Sequence, residues 1–366
     1  MPHSTTSTLE APAPAEQPGA RHTGSYAQLS REVRDAGLLR RAHGYYLAAG
    51  IVIAAGIGGV VTGMVLLGDS WLQLLMAAAL GILLTQVAFL THEAAHRQVF
   101  ATGPVNDAVG RWLANAVVGI SYSWWMTKHS RHHANPNQVG KDPDIAPDTI
   151  RFTEESAAEV RGPMRHLVRR QGWLFFPLLT LEGLNLHVVS VRSLLTGDPA
   201  TARTRRRELI VIAARLTAWV ALLVWIFPLG LAAAFLGVQL AVFGVYMGAS
   251  FAPNHKGMAL VAPGTKLDFL SKQVLTSRNI TGGWFMDVLM GGLNHQVEHH
   301  LFPSMPRPHL GRARVLVREH CARHGVPYTE TSLLASYAIV VRHLNQVGLA
   351  ARDPFDCPMR RELRGY

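Results

Sequence analysis

The chain has 366 residues, of which 49% are hydrophobic and only 16% charged, and its mean hydropathy of +0.15 argues against an ordinary water-soluble globule. The formal charge of +11 comes from Lys and Arg gathered in particular segments. Two cysteines, Cys321 and Cys357, without a CxxC spacing, exclude a disulfide framework and a sulfur-ligated metal site and fit a reducing compartment.

Residues 1–25 are dominated by Pro, Ser, Thr and Ala, and no apolar core precedes a cleavage site, so they read as a disordered tail and not as a signal peptide. Residues 26–43 mix charge with periodic apolar positions and predict a short helix at a membrane surface. The runs 45–67 and 71–91 contain no charged residue, and each is long enough to cross about 30 Å of hydrocarbon. Gly68-Asp69-Ser70 turns the chain between them, Trp71 suits an interfacial anchor, and frequent Gly and Ala allow close helix approach. Residues 105–122 are amphipathic, Trp124-Trp125 marks the interface again, and 135–144 is a polar loop.

The run 172–195 is apolar but carries Glu182, Asn185 and His187, which are costly in hydrocarbon. It is expected to lie against the rest of the protein or to be partly embedded. Two further spans, 208–227 and 231–251, flank the turn Pro228-Leu229-Gly230. Residues 265–290 are amphipathic, 308–324 and 331–346 read as soluble helices, and 351–366 as a C-terminal tail, leaving 26–350 as one functional domain. The turns 68–70 and 228–230 hold no Lys or Arg, so the positive-inside rule places both termini and the polar segments in the cytoplasm.

Chemistry concentrates in the histidines. Of 18, eight fall in three short stretches: His92-Glu93-Ala94-Ala95-His96, His129-Ser130-Arg131-His132-His133, and His295-Gln296-Val297-Glu298-His299-His300. On a helix, positions i, i+3 and i+4 share a face, so each stretch can present its imidazoles together. Each lies close to a membrane exit or an interfacial segment, which lets the three converge. His92, His96, His129, His132, His133, His299 and His300 exceed what one four-coordinate ion needs, so two metals account for them better. His255 follows the fourth span as His92 follows the second and is a further candidate ligand. His187 is a weaker one, and Gln296, His295 and Asn254 are candidates for a ligand or supporting role. Among carboxylates that could orient imidazole N–H groups (Glu93, Asp142, Asp144, Glu182, Glu298), Glu298 and Asp142 are favoured.

HxxxH, HxxHH and QxxHH on four spans resemble the membrane fatty acid desaturase family. The phrase Gly291-Gly292-Leu293-Asn294-His295-Gln296-Val297-Glu298-His299-His300-Leu301-Phe302-Pro303 is similar to its front-end and bacterial acyl-CoA or acyl-lipid branch, as are 273–280 and 182–187. The resemblance implies an all-α integral membrane fold: four transmembrane helices in two hairpins, with a cytosolic helical cap holding a histidine-ligated di-iron centre. It also implies O2 as co-substrate, a fatty acyl-CoA or acyl-lipid substrate, and a cis double bond as product. Gln296 stands where many members have His. No His-Pro-Gly-Gly haem motif occurs, so electrons are expected from a donor in trans: a ferredoxin, a flavin oxidoreductase or a cytochrome. A lipid hydroxylase would use the same boxes. A histidine-rich metal transporter would need polar groups at mid-membrane, which the spans largely lack.

Overall fold

A computed structural model describes residues 8–9, 19–197 and 199–351. Fifteen α-helices appear among them: α1 (Gly19–Asp35), α2 (His43–Leu67), α3 (Gln73–Ala95), α4 (Gly103–Trp112), α5 (Tyr122–Ala134), α6 (Glu154–Ala158), α7 (Met164–Val168), α8 (Gln171–Thr196), α9 (Ala202–Ile226), α10 (Leu229–His255), α11 (Phe269–Leu275), α12 (Gly283–Leu289), α13 (Gln296–Leu301), α14 (Arg307–Arg323) and α15 (Leu333–Leu349). Two short parallel ladders, Thr8–Leu9 with Leu260–Val261 and Asn279–Thr281 with Glu330–Ser332, are the only sheet among the described residues. Of the tail expected at 1–25, residues 8–9 are thus paired and 19–25 open α1. The rest of it, and 352–366, lie outside the described residues.

Five helices are long and apolar enough to cross a membrane: α2, α3, α8, α9 and α10. That is one more than the four expected. The additional helix is α8, whose polar residues do not interrupt it because each finds a partner. Asn185 donates to Glu182 at 3.0 Å, and His187 sits between the carbonyls of Gly183 (2.6 Å) and Val118 (3.3 Å).

α2, α3, α9 and α10 share one apolar core around Leu80, Leu84, Leu223, Phe235 and Phe243. Their outer faces expose Ile51, Val65, Leu75, Val220 and Trp225, as helices facing hydrocarbon would. The backbones of α8 and α10 approach closely: a Cβ on Gly183 would lie 2.1 Å from the Leu240 carbonyl oxygen. Near its two ends α8 is tied to other segments. Gln171 bonds to the Leu344 carbonyl at 3.0 Å, and Ser190 accepts from the Ser121 N–H at 2.6 Å.

A second core, including Leu29, Leu270, Val297, Leu301, Leu310 and Val317, joins α1, α11, α13 and α14 into a cap over the ends of α3 and α10. Cap and bundle are locked by Glu93 of α3 and Arg307 of α14, a buried ion pair. Around it, Tyr46 donates to Gln98 (3.1 Å) and accepts from the Arg307 N–H (3.1 Å), and Gln98 donates to the Pro303 carbonyl (2.8 Å).

Candidate metal centre and adjoining cavity

Four helix segments deliver the imidazoles. The last turn of α3 carries His92, and His96 caps its C-terminal end. α5, capped by Ser121 accepting from the Trp124 N–H at 3.1 Å, carries His129, His132 and His133. α10 ends at His255, and the six-residue α13 carries Gln296, His299 and His300. The entry to α13 bends at Gly291 and Gly292, both at positive φ (60° and 79°), which glycine adopts without penalty.

These segments bring eight imidazoles into two adjoining groups. His92, His96, His129, His133 and His299 form one, and His132, His255 and His300 the other, with ligand atoms within 4.8 Å of one another in each. In the first, His129 Nε2 lies 3.1 Å from His92 Nε2, 2.8 Å from His96 Nε2 and 3.0 Å from His133 Nε2, and His133 Nε2 lies 3.1 Å from His299 Nε2. In the second, His132 and His255 face each other at 3.3 Å. His133 stacks on His300 with centroids 4.2 Å apart, so the groups are neighbours.

The second group settles its own tautomers. His132 Nδ1 donates to Asp142 (3.0 Å), His255 Nδ1 to the Thr276 carbonyl (3.0 Å) and His300 Nδ1 to Gln273 Oε1 (2.8 Å). A neutral ring with Nδ1–H leaves Nε2 as a lone pair, so three lone pairs converge. His300 Nε2 is buried without a hydrogen-bond partner, as is Asn254 Oδ1. Burial, and then the neighbouring imidazoles, holds the pKa values of His129, His133, His299 and His300 well below the usual histidine value. Neutral imidazoles with facing lone pairs repel one another unless a cation lies between them; they fit a metal pair of borderline softness.

Asp142, besides His132, accepts from Asn137 N (2.7 Å) and Asp144 N (2.9 Å). Asp144 lies 3.4 Å from His132 Nδ1 and pairs with Lys128 at 2.9 Å. Burial pushes its carboxyl up, and Lys128, His132 and Lys256 outweigh that and hold it below the usual carboxylate range. Gln296 touches His255 Nε2 at 2.9 Å and accepts from Asn254 at 3.1 Å.

Other candidates stand elsewhere. His187 joins neither group; its Nδ1 lies 2.6 Å from the Gly183 carbonyl oxygen and its Nε2 3.3 Å from that of Val118. His295 turns away from α13 to Asp287 at 2.9 Å. Glu298 orients no imidazole: it accepts from Asn279 and Tyr328, both at 2.7 Å. Glu93 serves Arg307, and Glu182 serves Asn185. Sequence reasoning assigned no role to Gln273, which bridges two boxes by donating to the His133 carbonyl (3.0 Å) while accepting from His300. Trp125, which its sequence context marks only as an interfacial residue, stacks on His129 at 4.4 Å.

A cavity of about 530 Å³ runs up to both groups, touching His92, His129, His132, His255 and Gln296. Its inner walls are Phe89, Val118, Ile120, Trp125, Met247 and Phe251; its outer part holds Lys128, Asp144, Asp148, Glu182, Asn185 and Lys256. Most of its lining is apolar, which suits an alkyl chain.

Membrane-length helices, converging imidazoles and an apolar cavity ending on them define a membrane-embedded protein equipped to bind metal next to a hydrophobic substrate. The fatty acid desaturase family model matches residues 69–332, and the chain belongs to that family; it is an oxidoreductase. It is 28% identical to the Delta(8)-fatty-acid desaturase of Helianthus annuus over 350 residues, 90% of this chain and 74% of that one. It is 27% identical to the Delta(6)-fatty-acid desaturase fat-3 of Caenorhabditis elegans over 347 residues, covering 88% and 74%. Identity to the acyl-lipid (9-3)-desaturase of Physcomitrium patens is 30% over 285 residues, 76% of this chain and 54% of that one.

Proposed function

We propose that this protein desaturates a long-chain fatty acyl group, using O2, two irons and electrons delivered in trans, and forms a cis double bond. The observation that carries the reading is the pair of imidazole groups at the end of an apolar cavity. His92, His96, His129, His133 and His299 would hold one iron; His132, His255 and His300 the other, with Gln296 beside it. Bound iron with O2 supplies the strong oxidant that an unactivated methylene requires and that redox-silent Zn cannot become. The chain's own residues orient and exclude. Asp142, Thr276 and Gln273 hold the second group's rings at Nδ1, Trp125 fixes His129, and the aromatic walls keep water from the reacting methylenes.

Four spans, with α8 lying in the interface, are favoured by parity. α9 and α10 form a hairpin, and α10 ends at the metal groups, so α9 starts on that side. α8 therefore ends there, and Gln171 at its start bonds to α15, which packs against Ala252 near the end of α10. The turns 68–70 and 228–230, which hold no Lys or Arg, support a cytoplasmic location for that side. Exposed Arg131 and Lys141 near the second box suit an acidic electron donor.

Expression in a desaturase-deficient host, with fatty acids profiled for mass and double-bond position, tests the reading. Loss of two hydrogens is expected. A gain of one oxygen would identify a hydroxylase, and an unchanged profile in an iron-replete host would refute both.

A further inference from the structure

The cavity's charges constrain what carries the acyl chain into it. Two ammonium groups and three carboxylates line it: Lys128 and Lys256 against Asp144, Asp148 and Glu182. No arginine lines it among the described residues. Neither ammonium is free. Lys128 pairs with Asp144 at 2.9 Å, and Lys256 donates to the Asp144 carbonyl at 2.8 Å and lies 4.1 Å from the Phe152 ring centroid. The lining residues that reach the surface are Ala146, Asp148, Thr149, Leu181 and Asn185, so the mouth lies between the 144–150 loop and α8. Beside it α8 exposes Leu181 (60%), Leu184 (51%) and Val188 (55%), an apolar strip that belongs against lipid.

A coenzyme A thioester brings a diphosphate and a further phosphate monoester, and phosphate groups are held by Arg and Lys clusters or helix N-termini. This mouth offers an excess of negative charge, acceptor oxygens and a lipid-facing rim. We infer that the acyl chain enters while attached to a membrane lipid whose headgroup has no net negative charge, sliding sideways from the bilayer past Leu181 and Asn185. Glu182, Asn185 and Asp148 then face the headgroup: acceptors for its N–H or O–H groups, or partners for the ammonium of a zwitterion. This inference rests on the desaturase reading for its chemistry, but on the cavity alone for its carrier.

The test uses the iron-loaded enzyme in nanodiscs with a reducing system, given one acyl chain on phosphatidylcholine, on phosphatidylglycerol or on coenzyme A. Phosphatidylcholine should be used at least about tenfold faster than either anionic carrier, and Glu182→Lys with Asp148→Lys should move that ratio by about tenfold toward the anionic ones. Equal or faster use of the coenzyme A thioester or of phosphatidylglycerol by the unaltered enzyme overturns the assignment. Binding is read separately, by photolabelling residues 171–196 with a diazirine-bearing chain on each carrier. Label from phosphatidylcholine without product sinks the desaturase reading and upholds the carrier. Label only from coenzyme A, or from no carrier, overturns the carrier.

Discussion

Arg307 and Glu93 give the sharpest test of how cap and bundle hold the metal groups in register. Glu93 lies between His92 and His96, and its side chain is 2% exposed; that of Arg307 is 6% exposed. Replacing Arg307 by Met leaves the Glu93 carboxylate buried without its cation, with one oxygen, Oε2, already unpartnered. Breaking a buried pair from one side costs about 3–5 kcal/mol, whereas replacing both partners by neutral groups is close to neutral. At roughly 2–4 °C per kcal/mol, Arg307→Met should lower the melting temperature by about 6–20 °C. Adding Glu93→Gln should restore most of it. Scanning fluorimetry in detergent measures both, with iron content as a second readout of the first box. A shift below about 2 °C for the single variant would mean that water reaches the pair. A double variant as unstable as the single one would mean that lost packing dominates, and either result would refute the argument.

His255→Ala removes one of three donors from the second group and none from the first, so bound iron should fall from about two per chain toward one, with activity lost; metal analysis showing two would exclude His255 as a ligand. His187→Ala and His295→Ala, outside both groups, should keep full iron. Gln273→Leu removes the acceptor that keeps His300 protonated at Nδ1, and iron or cobalt affinity should fall by about 10–100-fold, while Gln273→Glu, which keeps an acceptor, should retain metal; equal losses would reduce Gln273 to packing. Cysteines at Lys141 and Arg203 should be labelled from one side of the membrane and cysteine at Asp69 from the other, whereas Arg203 labelled with Asp69 would make α8 a fifth span.

Much of this protein is written in local spacing. Long apolar runs with few or no charges produced α2, α3, α9 and α10, because 20 or more apolar residues can satisfy their backbone in lipid only as a helix. The i, i+3, i+4 pattern put each box on one helix face, and Asp142 was legible as a partner for an imidazole. What local spacing does not carry is which residues meet across long separations. Glu93 looked available to orient an imidazole until α14, 214 residues on, supplied Arg307. Glu298, inside a box, faces away from the metal groups toward Asn279 and Tyr328, because α13 has only one face for His299 and His300. His320 reads as one residue on a soluble helix, yet it is fully buried against Ser25 at 2.6 Å.

α8 shows the limit most clearly. Its composition admits a span and its polar residues argue against one, and the partners near its two ends, Leu344 and Ser121, come from segments that no local spacing links to it. The division of eight imidazoles into five and three belongs to the tertiary structure in the same way. Each box is local, but a metal site is a meeting of side chains from four segments, and packing chooses which nitrogens share it.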